Sequence, residues 1–500
     1  MVIRDIYFLE NIQKTGSLVV GVYEDGTLTP SAAKLDKNLN GEISKKVKKL
    51  AFKGKLSNSE AFAAENETFH KIILVGFGEQ GKKFSNFEFE QLGAAILKAS
   101  QCQDSEISVL LSQDDINVVS NSFPTLVAFG LMLKSWNFDK YKSKKDEKNK
   151  LKRVNFVVTD VETTQAAFNE LKKLSDGIFL TREVVSEPAN VIYPESLANT
   201  AMDELKALGV DVQILTKKDM TELDMGALLG VAQGSVNEPR LVVLHWDGNQ
   251  NSNEKPIAVV GKGVTFDSGG ISIKPDEGMY EMRYDMAGAG VVLGLLKAAA
   301  LNKLPVNLVG IMALVENMPS GSAQRPGDIV KSMSGQTIEI MSTDAEGRLI
   351  LADALWYVQE KYQPSTIIDL ATLTGAIVVA LGHEFAGLFS NNDTLANQIK
   401  ASAEETGEKV WRMPLSKHFD ESINSDIADM MNLSKPGTRA GGTTAAQFLK
   451  RFIKDSDTQW AHIDIAGVET TKDDLFMCSH GVTGFGVHLL YDFLKKTRCK

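Results

Sequence analysis

The chain has 500 residues, 43% hydrophobic and 24% charged, with a net charge of −10. That length exceeds the size at which one core normally stops growing, so two domains are expected, of ordinary globular composition. The acidic balance argues against broad nucleic-acid binding and against a polybasic membrane patch.

From the N-terminus, Met1–Ile6 carries early charge and lacks the apolar run of a signal peptide. The compact apolar runs Ser17–Val22 and Lys71–Gly76 predict buried strands, and Phe87–Ser100 has helical spacing. Gly76-Phe77-Gly78-Glu79-Gln80-Gly81 matches the letters of a dinucleotide fingerprint. Lys82-Lys83 then continues a turn where an apolar helix should open, so a strand-end turn is the reading. Phe123–Trp136 reads as a helix. The lysine run Lys142–Arg153 reads as a solvated loop, and it is the one candidate basic face. Asn155–Thr159 returns to strand character, and Leu171–Val185 predicts a helix crossing between domains. These readings divide the chain into an N-terminal α/β domain over 1–165, a linker helix over 166–187 and a catalytic α/β domain over 188–500.

Prolines 188 and 194 bracket a segment expected to be extended, after which helices and strands alternate. Pro194–Leu208 is predicted helical, Val210–Leu215, Arg240–His245 and Ile257–Val260 are predicted strands, Gly288–Leu301 a helix and Asn307–Leu314 a strand. Such alternation predicts a mostly parallel central sheet covered by helices. The weakly polar run Ala371–Leu381 is too short to span a bilayer. Cys102, Cys478 and Cys499 contain no Cys-x-x-Cys pair, which disfavours disulfide scaffolds and thiolate zinc sites and points to a reducing, cytoplasmic compartment.

The chemistry concentrates in two stretches. After the Ile257–Val260 strand comes a glycine-rich run with Lys262, Asp267 and Lys274, followed by Met282-Arg283-Tyr284-Asp285. Further on, Ser342-Thr343-Asp344-Ala345-Glu346-Gly347-Arg348-Leu349 lies between the predicted strand Thr337–Met341 and a predicted helix from Leu349 to Val358. Asp344, Glu346 and Arg348 alternate, so in extended or tight-turn backbone they would enter one crevice. Each acid alone could be a helix cap. Clustering Asp267, Asp285, Asp344 and Glu346 without cations would be costly, whereas two divalent ions would neutralise four carboxylates. The seven histidines are scattered without His-Glu-x-x-His, and no Gly-x-Ser-x-Gly elbow occurs. Metal-activated water therefore gains over nucleophilic catalysis.

At these residues the chain resembles the leucyl aminopeptidase (cytosol aminopeptidase) family. It matches the family's Asn-Thr-Asp-Ala-Glu-Gly-Arg-Leu from Thr343 to Leu349, with Ser342 in place of asparagine. Val260–Pro275, the Asp285 segment, Ala371–Ala376 and Trp460–Gly467 resemble further family blocks in the same order. The resemblance implies a macro-like N-terminal domain and a metal-dependent aminopeptidase that removes leucine-like N-terminal residues from peptides. It implies two ions, manganese or zinc, with Asp267 and Glu346 bridging, Asp344 completing one sphere and Asp285 with Lys262 the other. It implies Lys274 as a cation toward the tetrahedral intermediate and Arg348 holding bicarbonate. It also implies a first-residue pocket including Met282, Thr372, Leu373 and Gly375, and a homohexamer. Arg283 and Ala287 are further departures from the family's pattern, where lysine and glycine are common. A phosphoesterase would use the same carboxylates, but the ordered blocks favour the peptidase; neither membrane nor nucleic-acid partners are expected.

Overall fold

The computed structural model describes residues 2–13, 16–100, 104–116, 122–144, 151–249, 254–455 and 457–498. Cys102, Cys499 and the centre of the lysine run, 145–150, lie outside the described residues. The chain forms two compact units, Met1–Ser175 with Thr471–Gly481, and Asp176–Thr470 with Val482–Lys500. The helix Val161–Ser186 is continuous through the 175/176 division and contains most of the expected linker helix.

In the first unit six strands form one sheet in the order Asp5–Leu9, Arg153–Val157, Glu106–Leu110, Ser17–Val22, Lys71–Gly76, Ser59–Ala63. All neighbours are parallel except the edge strand Ser59–Ala63. Ser17–Val22 is buried along its whole length, as its unbroken apolar run predicts for a strand covered on both faces. The helices Asn86–Ser100 and Ser122–Lys134 pack at glycine: a Cβ on Gly93 would meet the Val127 carbonyl at 1.9 Å, and one on Gly130 the Glu90 carbonyl at 2.0 Å. After Gly76 the chain turns, with the Lys82 amide bonded to the Glu79 carbonyl at 3.2 Å, and the next helix opens only at Asn86. The buried Lys134 ammonium pairs with Asp474 and donates to the Leu475 and Cys478 carbonyls, fastening 471–481 within this unit.

In the second unit eight strands run in the order Val410–Arg412, Ala386–Ser390, Gln459–Asp464, Thr366–Ala371, Ile257–Asp267, Asn307–Asn317, Arg240–Asp247, Asp211–Leu215. The four central strands, from Gln459–Asp464 to Asn307–Asn317, are mutually parallel; antiparallel pairings flank them. Helices Ala287–Leu301 and Gly347–Tyr362 both pack on the central strands. The single stretch apolar and long enough to cross a membrane among the described residues, 279–301, has 83% of its apolar window buried inside the protein, so it is a core element.

Three local expectations change. The segment between Pro188 and Pro194 is turned, not extended, with the Val191 and Ile192 amides bonded to the Pro188 carbonyl at 2.9 and 3.0 Å. The strand expected to stop at Val260 continues to Asp267, so Lys262 projects from a strand and not from a glycine loop. The glycines serve close packing there: a Cβ on Gly261 would meet the Gly288 carbonyl at 2.5 Å, and one on Gly288 the Leu370 carbonyl at 2.2 Å. The helix expected from Leu349 starts at Gly347, so Arg348 lies in its first turn while Asp344 and Glu346 precede it.

Gly288→Ala should cost about 1–3 kcal/mol, because the obstructing atoms are backbone and cannot rotate away. Denaturant unfolding measures this; an unchanged midpoint would show that the helix can shift outward freely.

Candidate metal centre

The four central parallel strands end at one edge. They deliver Asp464, Ala371 followed by Thr372, Asp267, and Asn317. The carboxyl ends of such strands are where open α/β sheets bind ligands.

Lys262 rises from the Ile257–Asp267 strand beneath the start of the Gly347–Tyr362 helix. A Cβ on Gly347 would meet Lys262 Cε at 2.6 Å, so glycine is what lets the lysine pass. Its Nζ lies 2.7 Å from Asp285 Oδ1 and 2.9 Å from Glu346 Oε1, and donates to the Thr372 carbonyl at 2.8 Å. Thr372 in turn donates its hydroxyl to Asp285 Oδ1 at 2.7 Å. Lys274 Nζ lies 2.8 Å from Asp267 Oδ2 and also pairs with Asp344. Gly269 and Gly270, at φ +87° and +69°, reverse the chain after Asp267. A Cβ on Gly269 would come within 3.0 Å of Asp344 Oδ1.

One oxygen from each of Asp267, Asp344 and Glu346 lies within 4.8 Å of the others, a spacing that can surround a cation. Asp285 Oδ2 is buried with no hydrogen-bond partner among the described residues, an acceptor left over beside this cluster. Arg348 is buried, and its Nε and Nη1 likewise have no partner among the described residues. Carboxylate oxygens with unspent lone pairs fit divalent ions, and unspent guanidinium N–H groups fit an oxyanion.

The electrostatics describe a strongly coupled centre. Burial would discharge Lys262, but Asp285, Glu346 and Asp267 outweigh it and raise its pKa. Lys274 is raised in the same way, chiefly by Asp267 and Glu346 against its own burial. Burial pushes Asp285 well above the usual carboxylate range, with Lys262 opposing, and it pushes Asp344 up against the pull of Lys274. Burial draws the Arg348 guanidinium down to about 10, against Glu346 and Asp464.

The side chains of Lys262, Asp267, Lys274, Asp285, Asp344 and Glu346 therefore converge, with Thr372 joined to Lys262 and Asp285. Met282 sits in the 3-10 turn Met279–Tyr284 just before Asp285. The Leu373 amide is anchored on Asp464 Oδ1 at 3.0 Å, and Gly375 opens the helix Gly375–Leu381 under a Thr374 cap. A Cβ on Gly375 would meet nothing within 4 Å, so the space beside it is open.

Three supporting residues were not singled out from sequence. Asn317 Nδ2 donates to Asp267 Oδ1 at 2.8 Å and to the Thr343 carbonyl at 3.0 Å. Asp464 accepts from the Leu373 amide and, at 2.8 Å, from the Thr374 hydroxyl. Asn432 grips the turn that carries Asp344. Only Asp464 lies inside a recognisable block, Trp460–Gly467.

Central parallel strands whose carboxyl ends gather carboxylates around two lysines are the architecture of an α/β metallohydrolase. The chain matches the cytosol aminopeptidase family, its catalytic domain over residues 179–491 and its N-terminal domain over 19–145. A probable cytosol aminopeptidase of Rickettsia africae is 46% identical over 487 residues, 96% of each chain. One from Rickettsia rickettsii is 45% identical over 501 residues, 98% of this chain and 99% of that one. Among solved structures, a point mutant of tomato leucine aminopeptidase superposes with TM-score 0.87 at 34% identity, covering 98% of this chain and 96% of its own. The bottromycin maturation enzyme BotP in complex with Mn superposes with TM-score 0.84 at 29% identity, covering 97% and 99%. The chain belongs to the cytosol aminopeptidase family, and it is a metal-dependent aminopeptidase.

In metal-stripped protein, Lys262→Met should cost about 3–5 kcal/mol at pH 8, because it leaves buried carboxylates unpaired. Burial already holds the Asp285 carboxyl above its unfolded value and Lys262 opposes that rise, so removing the ammonium lifts it further, and stability is retained at low pH and lost as pH rises through the folded pKa. Thermal melts in chelator from pH 5 to 8 check this: the gap from the parent should widen with pH, and a pH-independent gap would count against the pairing.

Proposed function

We propose that Lys262, Asp267, Asp285, Asp344 and Glu346 hold two divalent ions, and that Lys274 and Arg348 act on the reacting groups of a peptide's first residue. The observation that carries this reading is the convergence of Asp267, Asp344 and Glu346 within 4.8 Å beside the unpartnered Asp285 Oδ2. Bound divalent ions would supply Lewis acidity at the scissile carbonyl and a water nucleophile near neutral pH.

This chain's residues have distinct tasks. Asp267, Asp344 and Glu346 would hold the ions together with Asp285 and Lys262, a reading supported by their convergence. Lys262 would join them as a neutral amine, a state that bound dications would favour over the cation present without them. Lys274, less buried and paired with Asp267 and Asp344, keeps its charge and faces the oxygen where negative charge develops. Arg348, whose Nε and Nη1 have no partner among the described residues, would hold bicarbonate, and that anion would supply a proton acceptor. Met282, Thr372, Leu373 and Gly375 form the pocket for the first side chain. The open space beside Gly375 suits leucine-like residues with broad tolerance, since such pockets discriminate a methylene by only about 1–3 kcal/mol. The relative solved in complex with Mn supports manganese, the relatives' names support a cytosolic setting, and zinc as the alternative ion and a homohexamer are inferred from the family resemblance alone.

A leucyl dipeptide should be cleaved at its N-terminal residue, with activity lost to a chelator and restored by manganese or zinc; chelator-resistant cleavage would defeat the metal role. Glu346→Gln should lower kcat by at least about 100-fold while the melting curve persists, since a shared charge is lost. Steady-state kinetics on metal-reloaded protein measures it, and unchanged turnover removes Glu346 from the mechanism.

A further inference from the structure

We propose that Asn432 is a positioning residue that sets the spacing of Asp344 and Glu346 by holding the backbone of the turn between them and the preceding strand. The inference rests on the metal-dependent reading above. Asn432 is wholly buried and follows the short strand Met430–Met431, which pairs in parallel with Ile338–Glu339. Its own amide donates to the Glu339 carbonyl at 3.0 Å, so its backbone is fixed by that ladder before its side chain does anything.

The side chain then spends its full capacity on one turn. Oδ1 accepts from the Met341 amide at 2.7 Å and from the Ser342 amide at 3.4 Å. Nδ2 donates to the Ser342 carbonyl at 2.6 Å and to the Ala345 carbonyl at 3.3 Å. An asparagine amide offers two donors and two acceptor lone pairs, and here all four go to residues 341–345. The two ends of the turn are thus tied to a single planar group, and Asp344 and the position just before Glu346 lie between or beside the tied atoms.

A second set of contacts registers the far side of the turn to the Asp267 loop. Thr343 donates its hydroxyl to the Gly269 carbonyl at 2.6 Å, and its own carbonyl accepts from Asn317, which also holds Asp267. With that side tied to the Asp267 loop, Asn432 decides how the remainder of the turn is folded. Neither its oxygen nor its nitrogen touches a carboxylate of the centre, so it acts through the backbone alone.

Asn432→Asp is the sharpest variant. It keeps the shape, removes both donors and sets a carboxylate oxygen against two carbonyls. Asn432→Ala is the milder companion and carries the test if the aspartate variant does not fold. Ile423→Val trims a buried methyl from the same region without touching the turn, and serves as the comparison for general destabilisation. Manganese affinity is measured by competition with a fluorescent chelator, alongside kcat and KM at saturating metal and the melting midpoint.

The expected result is a manganese affinity weaker by about 10–100-fold for the Asn432 variants, with kcat lowered more than KM is raised and Ile423→Val near the parent in both. Equal manganese affinity for parent and Asn432 variants would overturn the inference, as would an equal loss in Ile423→Val. Failure of the parent itself to bind manganese would overturn the metal reading, which is a separate result.

Discussion

Four carboxylates can share the edge of a parallel sheet only with cations among them, and Lys262 and Lys274 set the terms for everything around that edge. Each lysine joins one acid from the Asp267–Asp285 stretch to one from the Asp344–Glu346 turn: Lys262 takes Asp285 and Glu346, Lys274 takes Asp267 and Asp344. The pairs therefore pin together two regions distant in sequence. The two Lys262 pairs are buried, and such pairs contribute little net stability over an apolar substitute, because desolvation consumes most of the Coulombic gain. What they enforce is convergence, since leaving any one member alone is costly.

Reaching this arrangement requires backbone that comes unusually close. Gly261, Gly288 and Gly347 each sit where a Cβ would strike backbone or the Lys262 stem. Their absence of side chains lets helix Ala287–Leu301 lie against the sheet and lets Lys262 run under the next helix. Gly269 and Gly270 do different work, reversing the chain at positive φ so that Lys274 returns to Asp267. In sequence the two kinds of glycine look alike. That is why Gly261-Lys262-Gly263 reads as loop, although it is strand.

The long apolar runs and the alternation after Pro194 made the two α/β units and the parallel sheet legible, because burial on both faces leaves a local pattern. The carboxylates were legible for a related reason: Asp344 and Glu346 stand two apart, and Asp267 follows a strand. Arg348 was legible as a residue but not in its setting, since alternation of charge cannot distinguish an extended turn from one that becomes helix at Gly347. Asn317 and Asn432 left no local trace. A lone asparagine is compatible with any exposed turn, and its value here comes from chain segments that only the tertiary fold brings to it.

Ser342, where the family motif has asparagine, can be placed in the same terms. Its hydroxyl accepts from the Asp344 amide at 3.2 Å, within its own turn, while its backbone amide and carbonyl are both held by Asn432. Thr343 and Asn317 secure the other side of the turn to the Asp267 loop. The conformation that presents Asp344 and Glu346 thus rests on one bond to the Ser342 hydroxyl and on the ties from Asn432, Thr343 and Asn317, and a short residue at 342 leaves the cluster intact.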